Sequence, residues 1–397
     1  MRFRGAGGFS RLLAERADVV LGDAAAIRRA YRVLWAKSAL VILWTIASYL
    51  LLLEVATTPA AVVAAATSLG LGMAGIGFCI MHDANHGAFA RGPLLNRLAA
   101  HSLDLIGGSS YVWRAKHLAH HTYTNVADHD PDIDALPFAR FEPTQPRRSW
   151  HRYQHVYMWL LYALVTVRWQ AVTDFTFVAR GSVGRSRFPR PRRWNLAGLV
   201  AGKVFFLVWA VVIPLRLHSP VHVLIAFTVA SGVASLALTI TFQLSHCLEE
   251  AETLASDGGP LTPEWHVHQV LATANFAPRN RLIRWYVGGL NHQIEHHLFP
   301  RVPHTLHPQL ADIVRRTAVE CGLPYTSHPT VWAALRSHVR WLRRLGLPGA
   351  EPTGRSAVAY EAATTFVASG PFWPSRPSNS TLAPSASDLK PSPAIDE

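Results

Sequence analysis

Four long runs almost free of charge constrain this chain more than any other feature. Residues 38–53, 60–81, 196–215 and 221–244 are apolar nearly throughout, with Lys203 the one charged side chain among them. A bilayer crossing needs roughly 20 such residues, so the first run is short and the other three are adequate. Core helices of a soluble protein would carry a polar stripe for their solvent face, and these runs carry almost none. The expectation is an all-α, multi-pass membrane protein with four transmembrane helices arranged as two hairpins.

Charge supports that topology. The chain is half apolar, 16% charged and has a formal net charge of +13, but its basic residues do not follow one groove or helix face as a nucleic-acid footprint would. They gather in the N-terminal arm (Arg2, Arg4, Arg11, Arg16, Arg28, Arg29, Arg32, Lys37) and in the segment between the second and third runs (Arg114, Lys116, Arg147, Arg148, Arg152, and Arg185 to Arg193). The short connections near Thr57 and Arg216 are nearly free of them. By the positive-inside rule both termini and the middle segment are cytoplasmic, and basic flanks of this kind favour anionic lipid head groups. No small-residue cleavage pattern follows the first run, which is read as a retained span. Cys79, Cys247 and Cys321 have no paired spacing and suggest neither disulfides nor a zinc motif. The excess of Arg over Lys and the abundance of Ala point to a GC-rich, bacterial genome.

The chain divides into a basic arm (1–37) ending in an amphipathic helix, a membrane domain (38–346) and a Pro-, Ser- and Ala-rich disordered tail (347–397). Within the middle part, 88–111 is expected to lie along the interface, as is a helix over 153–177 interrupted by Arg168, Gln170 and Asp174. Residues 306–322 and 330–345 read as amphipathic cytoplasmic helices.

Histidine carries the chemistry. His82 and His86 stand at i, i+4; His117, His120 and His121 at i, i+3, i+4; and Gln293, His296 and His297 repeat that spacing. On a helix each set points to one face. His246 ends the fourth run as His82 follows the second. Eight imidazoles, with almost no Cys and no Glu-x-x-His pair, speak against structural zinc and against a carboxylate-bridged di-iron bundle. They are too many for one ion with an open position and suit two, although imidazole accepts iron, copper, nickel or zinc. An even number of spans separates successive clusters, so all converge on one cytoplasmic face. Acidic residues at 128–134 are read as partners of imidazole N–H groups or as a solvated turn. His292 and His268 rank second, the first lying about 100° from the face of Gln293.

HDANHG at 82–87, HLAHHTYTN at 117–125 and GGLNHQIEHHLFP at 288–300 resemble the boxes of the membrane fatty acid desaturases, specifically the front-end type in which Gln replaces the first His of the third box. The resemblance covers roughly 38–345. It implies a cytoplasmic helical cap holding two non-haem iron ions, which use O2 and two electrons to remove two hydrogens from an acyl-CoA or acyl-lipid chain. His82, His86, His117, His120, His121, His296 and His297 match the box ligands. His246 resembles the extra histidine that acyl-CoA desaturases place after their fourth span, and Gln293 would be a weak ligand or hold a water. Leu118 departs from the polar Asn of many relatives. No HPGG haem motif precedes the first span, so the electron donor is expected to be a separate ferredoxin or cytochrome b5-like protein with its reductase. The substrate would come from the bilayer with its head group near Arg114 and Lys116, while Asp83, Glu295 and the acidic run offset the metal charge and orient rings. A hydroxylase or acetylenase on the same scaffold is the alternative. In a different class, a zinc transporter would carry ionisable residues within its spans, and these are nearly free of them.

Overall fold

In a computed structural model of the protein, residues 3–4, 7–183, 186–188, 190–255 and 261–350 are described. The tail expected from 347 onward falls outside them beyond residue 350.

Among the described residues, four helices are long and apolar enough to cross a membrane: α2 (Ala24–Glu54), α3 (Pro59–His86), α7 (Arg193–Leu217) and α8 (Pro220–His246). Each extends past its apolar run. Asp23 caps α2 by accepting from the amides of Ala25 and Ala26, and no Gly or Pro interrupts the 31 residues that follow. The amphipathic helix of the arm and the first span are therefore one helix, continuous across residue 38. Thr58 and Ser219 cap α3 and α8, each with Pro in the first turn, which suits a position whose N–H has no helical partner. α3 is central, packed against both α2 and α8. α2 turns Leu40, Leu43, Ile46 and Leu50 outward, as a lipid-facing helix does.

The cap covers one end of this bundle. α1 (Gly8–Leu21) is part of it, burying Phe9, Leu13 and Ala17 against Leu310, Val314 and Ala318 of α11 (His307–Glu320) and Ile294 and Leu298 of α10 (Gln293–Leu298). α12 (Val331–Gly346) packs on α6 (Gln154–Ala163). The stretch expected as an interfacial helix over 153–177 is not continuous. It runs from α6 through a turn at Val165–Arg168 and a π-helical turn at Trp169–Thr173 to Asp174–Arg180. Lys203, within α7, fastens it: Nζ donates to Gly107 O (2.7 Å), Trp169 O (2.9 Å) and Asp174 Oδ2 (2.6 Å).

Candidate metal centre

The three motifs sit on three short pieces of helix that end at the same place. His82 and His86 occupy the last turn of α3, just after a π-helical turn over Gly77–Met81. The extra residue in that turn re-aims everything after it. His117, His120 and His121 share one face of α5 (Ser110–Thr122). Gln293, His296 and His297 lie on α10, and the turn before it presses onto the π-turn of α3: Gly288 has φ +62°, and a Cβ there would stand 2.2 Å from Phe78 O. Only glycine permits that approach.

All nine predicted donors meet. His117 Nε2 lies 2.9 Å from His86 Nε2 and 3.1 Å from His121 Nε2, and His296 Nε2 lies 3.0 Å from His121 Nε2. His246 Nε2 is 3.0 Å from Gln293 Nε2. Among the described residues, three groups have nitrogens within 4.8 Å of one another: His82, His86, His117 and His296; His120, His246 and His297; and His121, His296 and His297. Buried among them, both nitrogens of His82, Nδ1 of His121 and His246, Nε2 of His297 and Oε1 of Gln293 have no hydrogen-bond partner among the described residues. Buried polar atoms are rarely left so, since each costs about 1–3 kcal/mol. Converging lone pairs with orphaned neighbours are what a cation would satisfy, and nitrogen donors in this number suit a transition metal.

Protonation agrees. Burial, then neighbouring imidazoles, hold His117, His121, His296 and His297 well below the ordinary histidine value, so they are neutral and keep a lone pair for a metal. Burial opposes protonation of His120 too, but Asp130 outweighs it and raises that value.

Outer partners fix the rings. Asp130 Oδ2 accepts from His120 Nδ1 at 2.9 Å, so Asp130 is the residue of the acidic run hydrogen-bonded to the cluster. Asp132 Oδ2 stands 3.6 Å from the same nitrogen and pairs with Lys116 as well, and Arg114 is exposed. Gln269 Oε1 accepts from His297 Nδ1 at 2.7 Å. Asn125 Nδ2 donates to His246 O and Ala272 O. Glu295 differs from expectation: it accepts from Asn275 Nδ2 (2.8 Å) and Tyr325 OH (2.9 Å) and so anchors α10 by its outer side. His292 stands in none of the groups, with Nδ1 3.7 Å from Glu295 Oε2. His268 Nε2 is bonded to Thr124 O at 2.7 Å. No motif spacing marks Gln269, Lys37 or His304 as partners of the cluster, and Asn125 stands at the end of the second motif.

Beside the cluster runs a cavity of about 580 Å³. His117, His120 and His246 form one wall, and Trp113, Leu161, Tyr162, Leu238 and Phe242 form much of the rest. Lys116, Asp132 and Asp134 mark one polar border and Arg168 and Asp174 another.

A family model described as Fatty acid desaturase matches residues 57–329. The chain is 35% identical to the sn-1 linoleoyl-lipid 6-desaturase of Arthrospira platensis, over 70% of this chain and 76% of that protein. It is 32% identical to the sn-1 linoleoyl-lipid 6-desaturase of Synechocystis sp., over 85% and 96%. With the acyl-lipid (8-3)-desaturase of Physcomitrium patens it shares 34% identity over 70% and 59%.

Proposed function

This chain belongs to the fatty acid desaturase family and is a membrane fatty acyl desaturase, an oxidoreductase; from that premise we propose that its nine donors hold two non-haem iron ions. His82, His86, His117 and His296 would hold one. His120, His246 and His297, with Gln293 as a weak neutral donor, would hold the other, and His121 lies between. The observation that carries this reading is the convergence of buried imidazoles in groups whose nitrogens lie within 4.8 Å of one another, several of those residues holding a nitrogen or amide oxygen without a hydrogen-bond partner among the described residues, next to a cavity that His117, His120 and His246 line.

Bound there, the metal pair supplies the O2-driven oxidation that removes two hydrogens. The balance is one CH2–CH2 unit, O2, two electrons and two protons giving CH=CH and two waters. The protein's own part is to seat the acyl chain. Trp113, Leu238 and Phe242 exclude water and hold the methylenes beside His117 and His120, so chain geometry selects the carbons attacked. The relatives' printed names describe acyl-lipid desaturases, and an acyl lipid entering from the bilayer is the proposed substrate. A ferredoxin or cytochrome b5-like protein is the proposed electron donor. The basic residues around the cap favour a cytoplasmic site in a bacterial membrane.

The test is the lipid profile, by gas chromatography and mass spectrometry, of cells expressing the wild type or His296→Ala. New double bonds with the first and none with the second are expected. Equal profiles would defeat the assignment, and an added oxygen would favour the hydroxylase. Metal analysis of purified protein should find iron, and zinc alone would count against the centre.

A further inference from the structure

A cation within a membrane helix needs a reason, and that of Lys37 lies 267 positions away. The side chain is 5% exposed. Its Nζ stands 2.9 Å from His304 Nε2, with the Trp285 ring centroid 5.6 Å from it. An ammonium group has three N–H bonds and no lone pair, so His304 Nε2 must be the acceptor. The ring proton of His304 is therefore on Nδ1. That N–H donates to Asp83 Oδ2 at 2.8 Å, and the backbone N–H of His304 donates to the same oxygen at 3.2 Å. The other carboxylate oxygen, Oδ1, lies 3.8 Å from His82 Nδ1. At that distance there is no hydrogen bond, and the carboxylate acts on the His82 ring as a facing negative charge, while His82 itself groups with His86, His117 and His296.

The four residues come from α2, the end of α3 and the segment after α10, and all are buried. A tie between these elements could be made more cheaply by apolar packing, because burying a separated ammonium and carboxylate costs several kcal/mol. The order of donors and acceptors along the row is what apolar packing would not supply. Histidine ligands are ordinarily oriented and made more basic by a group on their second nitrogen. Here that group is itself oriented from two residues further out.

We propose that Lys37 is a positioning residue for His82: it holds the ring of His304 by its Nε2, which fixes Asp83, which in turn orients His82 toward the metal. This rests on the two-metal reading above. Without the ammonium, the His304 ring keeps only its bond to Asp83 and can turn out of place, and the carboxylate moves away from His82 with it.

The experiment uses the full-length, iron-loaded protein in detergent. Iron per chain is measured by mass spectrometry, release to a chelator by stopped flow, and melting temperature is recorded alongside. Lys37→Met and His304→Ala should release one of the two irons about 10–100-fold faster, the usual cost of losing such an outer partner, and leave the other at its wild-type rate. His304→Gln should stay near wild type, because an amide can accept from Lys37 and donate to Asp83. The double variant Lys37→Met/His304→Ala should be no worse than either single one. Wild-type release from Lys37→Met would overturn the relay, and so would His304→Gln behaving like His304→Ala, since imidazole bulk alone would then explain the site. Should Lys37→Met not fold, the His304 pair decides by itself. Wild-type protein without two bound irons would overturn the metal reading and the relay with it, whereas two irons with indifferent variants would overturn the relay alone.

Discussion

His297 Nδ1 lies 2.7 Å from Gln269 Oε1, and this contact decides which nitrogen of His297 faces the other donors. The amide is oriented by its own partners: Nε2 donates to His121 O, and Oε1 also accepts from Thr124 Oγ1 at 2.9 Å. The oxygen therefore faces the imidazole, Nδ1 carries the proton, and the unpartnered Nε2 is left for a metal. Gln269→Leu should lower metal affinity about 10–100-fold, read by titration against a chelator. Gln269→Glu, which keeps the acceptor, should lose much less.

Gln293 Nε2 faces His246 Nε2 at 3.0 Å. Gln293→Leu leaves a buried nitrogen without a partner, at a cost of about 1–3 kcal/mol, and should reduce both iron content and product formed. Gln293→His restores a nitrogen donor and should recover metal content. If the Leu variant kept full iron, Gln293 would have no part in the centre.

Gly288 has φ +62° and no room for a Cβ against Phe78 O. Gly288→Ala should destabilise the protein by about 2–5 kcal/mol through strain and overpacking and abolish product, because the third motif would be lifted from the first. Gly92→Ala is the matched control: nothing lies within 4 Å of the added methyl and φ is −93°. Thermal melts of the two variants, side by side, check this.

Lys203 neutralises Asp174 inside the bundle, both side chains being nearly buried (12% and 6% exposed). Lys203→Met leaves that carboxylate unpaired and should cost about 3–5 kcal/mol. Adding Asp174→Asn should recover part of the loss. Since Asp174 and Trp169 also border the cavity, the surviving activity of Lys203→Met should shift among acyl chain lengths, measured with defined lipids.

His338 sets a dependence on pH away from the metal cluster. Its Nδ1 donates to Cys247 O at 2.7 Å and its Nε2 accepts from Tyr162 OH at 2.9 Å, and burial pushes its value down from 6.5 to about 4. The unfolded chain takes up a proton that the folded one refuses, so stability from this group is complete above pH 6.5 and is lost as pH falls toward 4. The loss approaches about 3 kcal/mol at the low end. His338→Gln should flatten the fall in melting temperature between pH 6.5 and 4; an unchanged slope would assign the dependence elsewhere.

Much of this protein is legible in its sequence, because much of it is local. The four membrane helices follow from runs of apolar residues, and their extra turns come from caps such as Asp23 and Ser219 and from the absence of breakers. Eight of the nine proposed donors were legible for the same reason: i, i+3 and i+4 spacing on a helix fixes which side chains share a face, whatever surrounds it, while His246 stood out only by its place at the end of the fourth run. The continuity of α2 across residue 38 was not legible, because a change in polarity along a helix is not a change in backbone.

Tertiary structure alone decided what surrounds those donors. Lys37 reaches His304, Asp83 reaches the same ring, and Gln269 reaches His297, across separations of 267, 221 and 28 residues. Hydrogen bonds of that kind leave no period in a sequence. Glu295, adjacent to His296 in the chain, was expected to serve the cluster and instead faces Asn275 and Tyr325, since neighbours on a helix point about 100° apart. Local geometry selects which atoms can bind a metal; which nitrogen of each ring is free to do so depends on partners that only packing brings into reach.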